Sequence, residues 1–320
     1  MKRLLVIRFS ALGDVAMLVP VVRAFAEQHP EVEVTVLSQQ RMSDLFAGMP
    51  ANVLFHGVQL KEQSLREIVD ELGSFDFVAD MHNVWRSRYI RWAMRLRGAR
   101  VENIKKGRFE RFLLTHQLSR KPLKHSILRY CDVLYGLGLP TSVPETSPTH
   151  TGKGVGIAPF AAHEGKCYPL KKMEEVVRQL SEQGEKVVLF GSQQEADILE
   201  VWAKKYSGVM NIAGTKSLGE ELEVMRGLRV MVTMDSANMH LASLVGTRVV
   251  SIWGATHPKA GFLGIGQRES DCIQRDLKCR PCSIYGKKKC TFGDYRCMDI
   301  TPEDILERVK SEESRVKSQE

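Results

Sequence analysis

The sequence lacks an apolar run long enough to cross a bilayer. The run from Val15 to Val22 has 8 residues and contains Pro20, whereas a spanning helix needs about 18 residues. A secretory leader is not expected, because Arg8 interrupts the first apolar stretch and no small-residue cleavage site follows it. These absences predict a cytoplasmic protein without a transmembrane helix.

Several well-known catalytic motifs are also missing. The chain has no G-x-G-x-x-G after its first strand, no G-x-x-x-x-G-K-[ST], no G-x-S-x-G and no H-E-x-x-H. Dinucleotide oxidoreductases, P-loop ATPases, α/β-hydrolases and zincins are therefore disfavoured. There is no Asp-x-Asp pair, so a divalent metal bound to a nucleotide would have no obvious carboxylate ligands.

Length and periodicity predict two α/β domains. The chain has 320 residues, of which 43% are apolar and 26% charged, which fits about two globular domains. Buried strands such as Leu4–Ile7 alternate with amphipathic helices, and the pattern restarts after a Pro-, Ser-, Thr- and Gly-rich linker at 140–153. The prediction is two Rossmann-like domains with parallel sheets, 1–150 and 151–320, with ligands in the cleft between them. The second domain includes a Cys-rich loop at 272–297 and a terminal helix opened by Pro302.

Positive charge is concentrated in one segment. The whole chain has a net charge of +8, but residues 86–129 contain 14 basic and two acidic residues, a net charge of +12. Aromatic residues are interleaved with them: Trp85, Tyr89, Trp92, Phe109 and Phe112. This pattern indicates either an anionic partner, such as an acidic membrane surface or a polyanionic substrate, or a solvated helix face.

Five of the seven cysteines lie within 26 residues, from Cys272 to Cys297. Cys279 and Cys282 have the spacing of zinc ligands, but Cys290 and Cys297 do not form a second tight pair. Either reduced or paired structural cysteines or a structural metal site fits this pattern, and the first is favoured.

Two loops contain residues that suit binding or catalysis. Asp14 follows the first strand and could act as a general base, or it could cap the following helix. The stretch from Met234 to Ala242 ends one strand and opens a helix, whose free N–H groups suit a diphosphate. A plain cap formed by Asp235 or Ser236 is the alternative for this stretch.

Two further candidates follow strands of the second domain. Lys166 could neutralise charge on a phosphate leaving group, although a loop lysine is more often simply solvated. Glu195 could accept hydrogen bonds from a ribose, or it could be a favourable acid in the first turn of a helix.

Taken together, these stretches resemble the bacterial glycosyltransferases of family 9, whose best-known members are ADP-heptose:lipopolysaccharide heptosyltransferases. The resemblance extends over nearly the whole chain. It rests on Arg8-Phe9-Ser10-Ala11-Leu12-Gly13-Asp14-Val15, Lys166-Cys167-Tyr168-Pro169, Met234-Asp235-Ser236 through Met239-His240-Leu241-Ala242, Cys279-Arg280-Pro281-Cys282 and Cys297-Met298.

The resemblance implies a GT-B architecture, with the acceptor on the N-terminal domain and the nucleotide-sugar on the C-terminal domain. It also implies inverting transfer without a metal or other cofactor, most simply of heptose from an ADP-linked donor. By position, Asp14 matches the catalytic base. The residues that match donor-binding positions are Lys166, Glu195, Asp235, Ser236, Ala237, Met239 and His240.

The basic segment fits the acceptor that the resemblance implies. A lipopolysaccharide core is an anionic glycolipid at the inner leaflet, and the predicted contacts to it are Arg86, Arg88, Arg91 and Arg95. The expected enzyme is cytoplasmic and peripheral on the inner membrane, with no nucleic-acid partner. Two alternatives remain at this stage: a nucleotide-sugar epimerase of the same fold, and a non-catalytic module that binds anionic ligands.

Overall fold

The computed structural model describes residues 1–148 and 152–311. The chain divides into two compact units, one formed by residues 1–106 and 124–145, the other by residues 107–123 and the chain from residue 146. The sequence-based boundary at 150 lies close to the second of these divisions. The segment 107–123 differs from that expectation because it packs with the C-terminal unit. Residues 149–151 of the predicted linker lie outside the described residues.

A five-stranded parallel sheet forms the centre of the first unit, in the order β3-β2-β1-β4-β5. Its strands are β1 (Lys2–Ile7), β2 (Val32–Gln39), β3 (Val53–Val58), β4 (Phe77–Asp80) and β5 (Arg100–Asn103). Residues 4–7 of β1 are all buried, as expected for a parallel strand covered on both faces.

Five helices occupy the N-terminal half of the chain: α1 (Leu12–Gln28), α2 (Leu65–Leu72), α3 (Trp85–Leu96), α4 (Arg108–Thr115) and α5 (Ser126–Gly136). Helix α4 belongs to the second unit. Helix α2 begins at Leu65. A capping box fixes this start, because Ser64 Oγ accepts the Glu67 N–H and Glu67 Oε2 accepts the Ser64 N–H.

A six-stranded parallel sheet forms the centre of the second unit, in the order β11-β10-β9-β6-β7-β8. Its strands are β6 (Val155–Ala158), β7 (Val187–Leu189), β8 (Val209–Asn211), β9 (Val230–Met234), β10 (Arg248–Trp253) and β11 (Cys272–Gln274). Its remaining helices are α6 (Leu170–Glu182), α7 (Ala196–Lys205), α8 (Leu218–Arg226), α9 (Ala237–Leu244) and α10 (Pro302–Lys310).

The predicted α/β class with two parallel sheets is confirmed. The edge strands β5 and β11 are only four and three residues long and were not predicted from the sequence. No helix in the described ranges is both long and apolar enough to cross a membrane.

Each sheet has one point at which its strand order reverses. In the first sheet this switch point lies between β1 and β4, and in the second it lies between β6 and β9. Open parallel sheets bind ligands at the carboxyl ends of the strands beside such a point. The residues that follow these four strands are therefore the first to consider for function.

Candidate functional site

The first switch point places the residues after β1 beside those after β4. The chain leaves β1 at Arg8 and enters α1, whose first turn contains Asp14. It leaves β4 through Met81 and His82. The sequence-predicted base thus lies at the expected edge of the first sheet.

Asp14 is the third residue of α1, and its carboxylate is paired with Arg8. Arg8 Nη2 lies 2.5 Å from Asp14 Oδ2, and 26% of the Asp14 side chain is exposed. Ala11, not Asp14, occupies the N-cap position, and its N–H donates to Asp14 Oδ2 over 3.4 Å. The carboxylate therefore supports the helix start only through one long hydrogen bond. It remains accessible, as a base that meets a substrate hydroxyl must be.

Arg8 holds this arrangement together, a role that the sequence analysis did not assign. Its side chain is almost fully buried, and Nη1 donates to the Met81 carbonyl at the end of β4. Its guanidinium carbon lies 5.6 Å from the centre of the Tyr130 ring. The Tyr130 hydroxyl in turn donates to the Asp14 carbonyl over 3.1 Å. Arg8 thus connects β4 to the Asp14 carboxylate and fixes the direction of that side chain.

His82 is a second residue that the sequence analysis missed. Its Nδ1 accepts the Phe9 N–H over 3.4 Å, and its Nε2 lies 3.5 Å from Ser10 Oγ. Burial lowers the pKa of His82 to about 4, and the charges of Arg8 and Lys106 act in the same direction. His82 is therefore neutral at pH 7. Because Nδ1 accepts a hydrogen bond, the proton lies on Nε2, which can donate to a substrate oxygen. The sequence signal that could have identified His82 is its position two residues after β4, a strand that borders the switch point.

The four predicted acceptor arginines lie on α3 and differ in their surroundings. Arg91 pairs with the fully buried Asp80 over 3.0 Å, so it supports the fold. Arg88 Nε donates to Asn83 Oδ1 over 2.9 Å, and the Arg86 guanidinium carbon lies 4.8 Å from the centre of the Trp85 ring. Arg88 and Arg95 are exposed, while Arg86 and Arg91 are partly buried. Arg88 and Arg95 can therefore be replaced without removing a partner from a buried charge.

The second switch point brings Lys166 and Asp235 together. Lys166 ends a 3₁₀ turn, Glu164–Lys166, in the connection after β6, and Asp235 is the first residue after β9. Lys166 Nζ lies 2.8 Å from Asp235 Oδ2, and their side chains are 16% and 6% exposed. The pair forms because β6 and β9 are neighbours in the sheet. Lys166 is thus a largely buried, paired cation and not a solvated loop lysine.

Helix α9 starts beside this pair with its first turn uncapped by a side chain. Ser236 occupies the N-cap position, but its hydroxyl lies 3.1 Å from Thr233 Oγ1 and makes no cap hydrogen bond. The first N–H groups of α9, from Ala237 onward, therefore have no side-chain acceptor at the cap. Met239 and His240 follow with buried side chains. A helix start of this kind next to a lysine suits an anionic group such as a diphosphate.

Glu195 follows β7, the strand on the other side of β6. It occupies the N-cap position of α7, and its Oε2 accepts the Ser192 N–H over 2.7 Å. A Cβ at Gly191 would lie 3.2 Å from this oxygen, so the loop before the helix folds closely around the carboxylate. Lys166, Asp235 and Glu195 therefore follow three adjacent strands, which brings the predicted donor-binding residues to one sheet edge.

The Cys-rich loop covers the Lys166 side chain. Gly286 has a φ of +77°, and a Cβ there would lie 2.7 Å from Lys166 Cγ. In the turn that contains Lys166, the Gly165 carbonyl accepts the Ala255 N–H over 2.8 Å. The turn that presents Lys166 is therefore held between the loop after β10 and the Cys-rich loop. Because Gly286 has no side chain, the Cys-rich loop can approach the Lys166 side chain more closely than any other residue at this position would allow.

Arg280 anchors the Cys-rich loop. Its side chain is buried and donates to the carbonyls of Trp253 and Thr256, each over 2.9 Å, and of Gly254. All seven cysteines lie in the described part of the chain and are free thiols. No group of three or more His, Cys, Asp or Glu residues within the described ranges is arranged to hold a metal ion. The hydrogen bonds from the buried Arg280 guanidinium to these backbone carbonyls thus connect the Cys-rich loop to the end of β10.

We expect Gly286→Ala to weaken donor binding at least about tenfold, because its Cβ would displace the Lys166 stem and its positive φ disfavours alanine. Isothermal titration with an ADP-linked sugar measures this affinity. Gly293→Ala is the matched control, since Gly293 has a φ of +75° but nothing within 4 Å of an added Cβ. An equal loss in both variants would show that backbone strain alone is responsible.

The chain shows clear similarity to characterised enzymes. The family model for glycosyltransferase family 9 (heptosyltransferase) matches residues 64–295, more than two thirds of the chain. Lipopolysaccharide heptosyltransferase 3 of Escherichia coli is 23% identical over 281 residues, which cover 76% of this chain and 81% of that protein. Lipooligosaccharide heptosyltransferase 2 of Campylobacter jejuni is 20% identical over 321 residues, with 93% and 95% covered.

Solved structures share the fold. The ADP-heptose lipopolysaccharide heptosyltransferase II of E. coli superposes with a TM-score of 0.70 at 20% identity, covering 97% of this chain and 98% of that one. A family 9 glycosyl transferase from Veillonella parvula gives a TM-score of 0.74 at 18% identity, with 97% and 96% covered. The chain thus belongs to glycosyltransferase family 9, the heptosyltransferase family, and is an enzyme of the glycosyltransferase class.

Proposed function

We propose that the protein transfers heptose from ADP-heptose to a lipopolysaccharide core acceptor, with inversion at the anomeric carbon. The observation that carries the proposal is the buried Lys166–Asp235 pair beside the uncapped start of α9. A lysine and a helix N-terminus together match the negative charge of a nucleoside diphosphate. The heptosyltransferase relatives supply the sugar and the acceptor class.

In this proposal the second unit, broadly residues 151–320, binds the donor. Lys166 and the α9 start contact the diphosphate, and Asp235 orients the lysine through the 2.8 Å ion pair. Glu195 accepts hydrogen bonds from the ribose, for which its carboxylate is prepositioned by the Ser192 N–H. The other residues that we assign to diphosphate binding, at the start of α9, are Ser236, Ala237, Met239 and His240.

The N-terminal domain, proposed from the sequence as residues 1–150, binds the acceptor and contributes the catalytic base. Asp14 removes the proton from an acceptor hydroxyl. The oxygen of that hydroxyl attacks the anomeric carbon of the heptose. The bond from that carbon to the β-phosphate oxygen breaks, and ADP leaves with the bonding electrons. Because the oxygen attacks opposite the leaving group, the anomeric configuration inverts. His82 Nε2–H is available to hold an oxygen of the acceptor beside Asp14.

We further propose that this step needs no metal or other cofactor. In the proposed complex, Lys166 and the helix start neutralise the charge on the departing diphosphate, the role that Mg²⁺ serves in other transferases. The absence of an Asp-x-Asp pair in the sequence agrees with this assignment. The test is a transfer assay with and without a chelator, in which equal rates are expected.

The acceptor we propose is an anionic glycolipid in the inner leaflet, reached from the cytoplasm. The proposed contacts to its phosphates are Arg86, Arg88 and Arg95 on α3, with Arg91 orienting the helix through Asp80. Nucleic acid is not a proposed partner. The comparisons do not favour a nucleotide-sugar epimerase or a non-catalytic module, since the family and its characterised relatives are heptosyltransferases.

Thermal stabilisation by nucleotide-sugars tests the donor assignment. At about 100-fold above its Kd, a donor adds about 2.7 kcal/mol, which raises the Tm by roughly 4 °C for a chain of 320 residues. We expect this shift with ADP-heptose, a smaller one with UDP-linked sugars, and almost none in Lys166→Ala. Lys172→Ala is the control, because Lys172 also pairs with an acid, Asp299, but lies at the surface. No shift with any sugar nucleotide would contradict the proposal.

A further inference from the structure

Helix α3 has two apolar stripes on opposite faces. Ser87, Ile90 and Met94 are buried and face the core of the first unit. A second set is spaced at i, i+4, i+7 and i+11, and it consists of Trp85, Tyr89, Trp92 and Leu96. At about 100° per residue, these four positions lie within an arc of about 60°, opposite the buried stripe. We call this set the outer stripe.

The outer stripe is exposed, which is unusual for residues of this size. Trp85 is 65% exposed, Trp92 58% and Leu96 68%. Tyr89 lies beside Trp92, with ring centres 6.2 Å apart, so these two rings form an adjoining pair on this face. The solvent face of an ordinary amphipathic helix is polar. A contiguous apolar patch on that face is typical of an interaction site.

The charged residues of helix α3 are all of one sign. Residues 85–96 contain four arginines and no acidic residue. Arg88 and Arg95 are exposed next to the stripe, and long cationic side chains can extend from an apolar layer toward phosphates. The surface therefore combines tryptophan, tyrosine and leucine with flanking arginines. This combination is typical of helices that lie in the interface of an anionic bilayer.

We propose that the outer stripe of α3 docks on an anionic lipid bilayer, with its rings in the headgroup layer and the flanking arginines on lipid phosphates. The inference rests on the proposed function, since an enzyme with a glycolipid acceptor acts at the membrane surface. It goes further by assigning attachment to lipid itself, chiefly through Trp85, Tyr89, Trp92 and Leu96, which are not among the proposed acceptor contacts. The helix lies along the surface, because its opposite stripe is fixed in the core.

Tryptophan fluorescence tests this docking directly. The chain has four tryptophans, and Trp202 and Trp253 are buried, so a spectral change reports on the two in the outer stripe. With vesicles of phosphatidylglycerol and phosphatidylethanolamine, free of acceptor and donor, we expect a blue shift and co-sedimentation that weaken in high salt. Pure phosphatidylcholine vesicles are expected to bind at least about tenfold more weakly.

Two variants distinguish vesicle binding through the outer stripe from nonspecific binding through any exposed apolar side chain. Trp92→Ser/Leu96→Ser is expected to weaken binding to the anionic vesicles at least about tenfold. Phe292→Ser is the matched control, because Phe292 is also 58% exposed but lies outside α3, and it should bind like the wild type. Absence of wild-type binding, equal binding to neutral vesicles, or an equal loss in the control would each overturn the proposal.

A water-soluble, deacylated acceptor distinguishes lipid docking from acceptor recognition. On this acceptor, Trp92→Ser/Leu96→Ser should retain the wild-type kcat/KM, whereas it should lose activity on acceptor embedded in vesicles. A loss on the soluble acceptor as well would place the stripe in the acceptor site and overturn docking as its role. The vesicle measurements contain no sugar substrate, so they stand or fail independently of the proposed transferase activity.

Discussion

Asp14→Asn is expected to lower kcat for heptosyl transfer by about 10²–10⁴-fold, the range typical of a lost general base. Asparagine can still accept the Ala11 N–H and contact Arg8, so the start of α1 stays intact. It cannot take a proton from the acceptor hydroxyl. Steady-state transfer kinetics measure the loss, and the Tm shift caused by ADP-heptose should stay close to the wild-type value.

Glu67→Gln is the matched control for this prediction. Glu67 is also an acid at the third position of a helix, where it accepts the N–H of the preceding cap residue Ser64. Its replacement should leave kcat unchanged. If Asp14→Asn kept most of the wild-type rate, or if Glu67→Gln lost as much activity, the carboxylate of Asp14 would be acting on the helix and not on the substrate.

Lys166→Ala is expected to have two separate effects. It removes the cation that we assign to the diphosphate, so kcat/KM should fall by about 10²–10³-fold. It also leaves Asp235, whose side chain is 6% exposed, as a buried carboxylate without its partner. Loss of one member of a buried pair costs about 3 kcal/mol or more. Urea denaturation monitored by circular dichroism measures this second effect.

A double variant separates these two effects. Lys166→Ala/Asp235→Asn removes the buried charge together with its partner, so most of the lost stability should return. Activity should not return, because the cation is still missing. Recovery of both stability and activity would show that Lys166 serves the fold alone. A stable but inactive double variant is the result that the account requires.

Features whose signal lies within a short stretch of residues could be predicted from the sequence. The four consecutive apolar residues Leu4–Ile7 predict a buried parallel strand. Asp14 could be placed in the connection that follows this strand, and Asp235 directly after another strand. Lys166 was recognised as a candidate, but its pairing with Asp235 was not. That pair depends on β6 and β9 being neighbours, a strand order that residue periodicity does not encode.

Other features could not be predicted because they depend on distant contacts. The edge strand Arg100–Asn103 carries alternating charge and no fully buried residue, so its pairing with β4 leaves no local signature. Segment 107–123 was expected in the first domain, but its Arg111 guanidinium carbon lies 5.6 Å from the centre of the Phe262 ring and 5.5 Å from that of the Tyr285 ring, both in the second unit. Arg91 was predicted to contact acceptor, and only the structure reveals its buried partner Asp80.

The central claim is heptosyl transfer from ADP-heptose to a lipopolysaccharide core, and a direct assay with purified protein tests it. The acceptor is core lipopolysaccharide lacking its heptose, and the product is analysed by mass spectrometry and by NMR of the anomeric proton. The account predicts one added heptose, with the configuration inverted relative to the donor and a rate unaffected by chelator. Release of free heptose or a rearranged donor without glycosylated product would contradict it.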